Sequence, residues 1–204
     1  MINTFLKAKH WQLFGLMFGL PMLFQIIMMT SVFASIQSES NPDPTEMLKM
    51  MRFFPIIMIV YMGLFFSWFW SIAIGLQNKV PKNVTMKTKR FKIFFFIPLL
   101  YILVLSFFIG NIFNGVIESQ ILDGAMMARM IGIILPLHLL SMFGIFHSLY
   151  FVSKTLKTVE LQKKVSFSDF VGEFFMLWFY PVGIWIIQPK LNELAEVNTT
   201  SNSK

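Results

Sequence analysis

The chain has 204 residues, of which 56% are apolar, 17% aromatic and 13% charged, and its mean hydropathy is +0.67. A soluble domain is about 45–50% apolar and about 25% charged, so one small core cannot hide this much apolar surface, and disorder requires the opposite composition. A net charge of +7 would suggest nucleic acid for a soluble chain; in a chain whose solvent is lipid, its placement along the sequence decides its meaning.

A spanning helix needs about 20 mostly apolar residues, at about 1.5 Å each across about 30 Å of hydrocarbon. Five stretches meet or approach this: residues 11–36, 53–76, 93–117, 130–152 and 170–187. The first follows Lys7 and Lys9 and contains Gln25. It is about twice the length of a signal-peptide core, so it reads as a retained span. A polar stretch with Asn41-Pro42-Asp43-Pro44, a turn signal, leads to the second. A basic stretch with Pro81 leads to the third, which carries Asn111 and Asn114 near its end. The fourth, beginning after Asp123-Gly124, holds His138 and His147. A second basic stretch then ends in Ser166-Phe167-Ser168-Asp169, which fits a capping box with Ser166 as N-cap, Asp169 at N3, and Val165 and Phe170 as a hydrophobic staple. The fifth segment is short, carries Glu173, and is expected to cross; the alternative is that Pro181-Val182-Gly183 turns it back.

The expected fold is therefore all-α: a polytopic transmembrane bundle of five helices in one domain, 1–190, with a polar, disordered tail at 191–204. Every segment contains a proline: Pro21, Pro55, Pro98, Pro136 and Pro181. Pro55 sits at a helix start, where it is tolerated; the others are expected to kink their helices.

Lysine and arginine mark the cytoplasmic side of short loops. Successive polar segments carry 2, 2, 6, 1 and 4 basic residues, an alternation that four crossings require with the N-terminus inside. The six are Lys79, Lys82, Lys87, Lys89, Arg90 and Lys92, a juxtamembrane cluster suited to anionic lipid headgroups. A loop pinned to lipid at both ends is a poor nucleic-acid ligand, and none is expected.

The stretch Phe170-Val171-Gly172-Glu173-Phe174-Phe175, continuing with Trp178-Phe179-Tyr180-Pro181-Val182-Gly183-Ile184-Trp185 and Gln188-Pro189-Lys190-Leu191-Asn192, resembles the C-terminal signature of an uncharacterised family of small bacterial polytopic inner-membrane proteins. The resemblance implies a bacterial inner-membrane location and carries over no catalytic residue.

Ionisable groups within a bilayer are candidate functional groups. Glu173 and His147 fall at similar depth in consecutive segments, so a Glu173–His147 contact is expected, with Ser148 beside it. It would either neutralise the carboxylate or form a proton-binding site. His138, with Ser141 on its face, and Gln25 are expected to make interhelical hydrogen bonds, as are Asn111 and Asn114. Gly63, Ser67, Ser71 and Gly75 form a small-residue stripe, repeated more briefly by Gly15 and Gly19; such stripes let helices approach closely in lipid. The chain has no cysteine and three histidines, which disfavours a metal or haem centre, and no metal or cofactor is expected. Common hydrolase, protease and phosphate-loop motifs are absent from the sequence. The leading expectation is a non-enzymatic accessory or packing subunit that contacts lipid and a membrane-protein partner or a second copy. A small transporter or channel using Glu173 and His147, with Gln25 deeper, is the alternative, and a lipid-modifying enzyme the weaker one.

Overall fold

The computed structural model describes residues 2–38, 53–117 and 124–196, and these are helical with no strand among them. A short α1 (Ile2–Lys7) is followed by α2 (His10–Phe14), a π-helical turn (Gly15–Gly19) and α3 (Leu20–Ser38), the last three continuous with one another. Then come α4 (Phe54–Gly75), α5 (Thr88–Ile117), α6 (Gly124–Leu161), α7 (Phe167–Trp178) and α8 (Tyr180–Glu196). Among the described residues, four helices are long and apolar enough to cross a membrane: His10–Ala34, Phe54–Lys79, Thr88–Asn111 and Ile131–Leu161. They fall on the first four expected segments. The expected disordered tail from Asn198 lies outside the described residues, but α8 runs to Glu196 and buries Leu191, so the first part of the 191–204 tail is structured.

The fifth segment does not form a span. It breaks at Phe179, whose φ of −89° and ψ of 55° are not helical, and Pro181 follows, with no N–H to continue the ladder. Helix α7 has 12 residues, about 18 Å, against the roughly 30 Å of hydrocarbon. Beyond the break, α8 turns back along α7. Gly183 lies so close to Met176 that a Cβ would overlap its carbonyl oxygen, so only glycine allows the two helices to meet at the turn. The expectation of a fifth crossing is thus corrected to its alternative, a hairpin that returns to the side it came from.

The hairpin runs down α6. Glu173 is level with Lys157, and Trp178 at the tip stacks edge-on against Phe146, ring centroids 4.7 Å apart. The capping box forms where expected, with Asp169 Oδ2 accepting from Ser166 N–H and Ser166 Oγ–H, both at 2.7 Å. Val165 and Phe170 are both buried.

Buried residues gather in the half of the bundle nearest α1. Leu6, Trp68, Phe69, Ile72, Phe91, Val152, Leu156, Leu177, Ile184 and Leu191 belong to one core. Phe91 stacks on Phe151 with centroids 4.6 Å apart, joining α5 to α6. In the other half, large apolar side chains on α3, α4, α5 and α6 point outward, among them Leu23, Ile56, Phe107 and Leu139. A soluble protein could not leave such faces open; lipid can cover them.

Two prolines act differently from one another. Pro55 sits in the first turn of α4, where its missing N–H costs nothing. Pro98, inside α5, leaves the Phe94 carbonyl without its helical donor. At that point Gly144 of α6 comes so close that a Cβ would lie 2.7 Å from the Phe94 oxygen and 2.9 Å from Pro98 Cδ. The proline and the glycine fit each other.

Candidate functional site

The charged groups of α6, α7 and α8 form a closed ring. Lys157 Nζ lies 2.9 Å from Glu173 Oε1 and 3.1 Å from Glu160 Oε2. Lys190 Nζ lies 3.2 Å from Glu160 Oε1 and 3.4 Å from Glu173 Oε1. Each cation touches both anions, so four charges sum to zero across three helices. Lys157 and Glu160 share a face of α6 three residues apart. The capping box starts α7 so that Glu173 meets them, and the turn at Phe179 brings Lys190 back. Glu173 is the most enclosed member, its side chain 8% exposed. Burial opposes its charge, but the hydrogen bond from Lys157 and the positive charges of Lys157 and Lys190 outweigh it. Its carboxyl therefore sits below the ordinary glutamate value.

The expected Glu173–His147 contact is not formed. Glu173 faces the two lysines, while His147 packs on the Phe94 ring with centroids 4.5 Å apart, its Nδ1 buried without a hydrogen-bond partner. Ser148 Oγ donates to the Gly144 carbonyl at 2.8 Å and reaches neither residue. The expected similar depth does not hold either: Glu173 is level with Lys157, ten residues or about 15 Å further along α6 than His147, because the hairpin sets Glu173 toward the polar end of α6.

A second polar knot, not anticipated, centres on Gln188, which is fully buried. Its Oε1 accepts from Trp68 Nε1 at 2.9 Å. Its Nε2 donates to the carbonyls of Phe5 and Ala8, each at 2.9 Å, and to Asn192 Oδ1 at 3.0 Å. The two carbonyls belong to the end of α1 and the break after it, where helical donors run out. One glutamine thus ties α8 to α4 and caps α1. Tyr180 adds a long hydrogen bond, 3.4 Å, from its hydroxyl to the Met17 carbonyl in the π turn.

The remaining expected positions divide. His138 makes the interhelical bond foreseen for it, its Nδ1 3.0 Å from Tyr101 Oη. Asn111 instead bonds within its own helix, to the Phe107 carbonyl at 2.8 Å, and the Asn114 side chain lies outside the described set. Ser141 is buried. Gln25 is exposed on α3 and has no hydrogen-bond partner within the described chain, so its expected interhelical bond is absent. Ser71 is buried, and a Cβ on Gly75 would lie 2.7 Å from Ile2 and 2.8 Å from Leu6. This end of the stripe therefore packs α4 against α1. Ser67 is half-buried and Gly63 open. Gly15 and Gly19 do not support a close helix approach, with nothing nearer than 4.0 Å to a Cβ at either; they bound the π turn instead.

Of the basic cluster, Lys79 is taken out of the expected headgroup set. Its Nζ donates to the carbonyls of Leu194 and Ala195, the last turn of α8, where a cation also meets the negative end of the helix dipole. Lys92 lies over the Trp70 ring at 5.8 Å. Lys82, Lys87, Lys89, Arg90 and Lys92 are exposed, as headgroup contact requires. Among the described residues no group of three or more His, Asp or Glu side chains could hold a metal ion. The grooves between helices are apolar and open at the side; one is walled by Ile59, Gly63, Phe96 and Leu100 of α4 and α5.

Lys157, Glu160, Lys190 and Gln188 were not singled out from the sequence. A glutamine directly after the apolar run ending at 187 was the available signal. The lysines gave none, because a crossing fifth segment puts Lys190 on the opposite side of the membrane from Lys157. No family model matches the chain, and no curated protein and no solved structure matches it.

Proposed function

We propose that the protein is a non-enzymatic integral membrane component, an accessory or packing subunit of an assembly in the bacterial inner membrane. The observation that carries this reading is the division of the molecule. At one end the polar groups satisfy one another, in the charge ring and around Gln188. At the other the helices leave wide apolar faces open. The ring also supports it against a proton-linked transporter: Glu173, the carboxylate such a mechanism would use, holds two lysines and is kept ionised by them. In this reading the basic end of the bundle faces the cytoplasm by the positive-inside bias. Lys82, Lys87, Lys89, Arg90 and Lys92 then meet anionic headgroups.

The test has two arms. Extracted from its own membrane in mild detergent, the protein should migrate in an assembly larger than itself. Leucine or tryptophan substitutions on exposed faces should disperse that assembly and leave a folded monomer. Reconstituted alone in liposomes, it should pass no proton or ion current. A pH-dependent flux abolished by Glu173→Gln would overturn the proposal in favour of transport.

A further inference from the structure

Helix α3 is the span least supported by its own chain. In its candidate span, His10–Ala34, the buried side chains are Leu13 and Met17, and both precede α3. Its chain-facing side carries the half-buried Pro21, Phe24, Met28 and Ser31. Beside that side runs a second face of Phe18, Met22, Gln25, Met29 and Phe33, which lines an open groove of about 580 Å³ with Tyr180 on its far wall. The spacing of 4, 3, 4 and 4 residues places all five within a sector of about 80° at about 100° per residue. The spacing averages about 3.75 residues per turn, above the 3.6 of the helix itself, which is the period of a gently right-handed helix–helix seam.

At the middle of the seam stands Gln25. It lies three residues from the centre of the span, about 4–5 Å along the axis, where lipid offers no hydrogen-bonding group. Its neighbours in the span are satisfied: Thr30 Oγ1 donates to the Ile26 carbonyl at 2.8 Å and Ser31 Oγ to that of Ile27 at 3.0 Å. Gln25 has no such bond and no partner elsewhere in the described chain. An amide left unpaired in hydrocarbon is costly. A carboxamide is also self-complementary, donor and acceptor in one plane, so the group that answers it without any further chemistry is the same amide on a symmetry-related helix.

We infer that α3 is a self-association helix: two copies of the chain pair along Phe18, Met22, Gln25, Met29 and Phe33, the two Gln25 amides exchanging hydrogen bonds across a twofold axis. This deepens the packing-subunit reading by naming one partner as a second copy.

The chain has no cysteine, so single cysteines report directly. With the purified protein in phosphatidylethanolamine–phosphatidylglycerol vesicles, Met22→Cys and Met29→Cys should form disulfide-linked dimers on oxidation. Leu23→Cys and Ile27→Cys, on the far side of α3, should not, because a disulfide needs Cα atoms within about 7 Å. Adding Gln25→Leu should weaken dimerisation about tenfold, measured by dilution of the protein in lipid, and Gln25→Asn should restore most of it. Gln25→Leu should leave the thermal unfolding midpoint of the monomer unchanged, since the amide has no partner within the chain. Cross-linking that is equal at all four positions, absent at Met22 and Met29, or indifferent to Gln25→Leu would overturn self-pairing. Loss of self-pairing with a persisting native assembly rejects the dimer alone. A dimer in vesicles with no native assembly rejects the accessory role alone.

Discussion

Glu173, its side chain 8% exposed, is held between Lys157 and Lys190. The sequence marks it as a carboxylate inside an apolar segment, which requires neutralisation. His147 was the nearest candidate by depth, yet Lys157 and Lys190 take the role, because a lysine reaches inward along its own aliphatic stem while keeping its charge near the polar end. Removing one member of an enclosed ion network leaves the others uncompensated. Glu173→Gln should therefore destabilise the fold by about 2 kcal/mol, measured by thermal or denaturant unfolding in detergent. Acid should act the same way. Glu173 is held below the ordinary glutamate value, so its stabilisation is fully present above that value, about pH 4.3. It is lost as the pH falls through the lower value of the folded state. The wild-type chain should lose stability over that acid limb, and Glu173→Gln should lose less. Asp169, held low by Ser166 hydrogen bonds, adds to the same limb in both proteins, so the difference between them isolates Glu173.

At the scale of elements, length and apolar run were enough for the four spans, because the bilayer imposes one requirement on each. They were not enough for the fifth segment, whose 18 residues satisfy the arithmetic narrowly while Phe179, Pro181 and Gly183 break it locally. The decisive contact is between Gly183 and Met176, two positions that a straight helix would never bring into opposition. Gly183→Ala should open the hairpin, since the added methyl would overlap backbone rather than a movable side chain. A destabilisation of at least about 3 kcal/mol is expected, together with new labelling of a cysteine placed at Ile184, which is fully buried in the native chain. A Gly183→Ala protein with unchanged stability and a protected Ile184→Cys would show that the turn relaxes freely.

For the whole molecule, four crossings and a returning hairpin put α1, the loop after α4, the end of α6 and the end of α8 at the same end. The contacts of Gln188 with Phe5 and of Lys79 with Leu194 and Ala195 hold them there. Cysteines at Lys82, Lys164 and Glu193 should thus share one accessibility to a membrane-impermeant reagent, and a cysteine at Gly124 the opposite one. With the basic end cytoplasmic, only Gly124→Cys labels in intact cells. Labelling of Glu193→Cys together with Gly124→Cys would reinstate a fifth crossing, and labelling of Lys82→Cys would invert the bundle.

Composition and apolar run length by themselves determined that the chain is helical, and they located the four helices long and apolar enough to cross a membrane, because exclusion of water from a bilayer acts on each segment separately. Local chemistry likewise determined the start of α7 at Ser166–Asp169 and the tolerance of Pro55. The tertiary structure alone decided that the last segment folds back, that Lys190 joins Lys157 around Glu173, and that Gln188 closes the end of α1. Those outcomes depend on close approach, of backbone to backbone at Gly183 and of the α1 side chains Ile2 and Leu6 to Gly75, and close approach between distant segments leaves no periodic trace in the sequence.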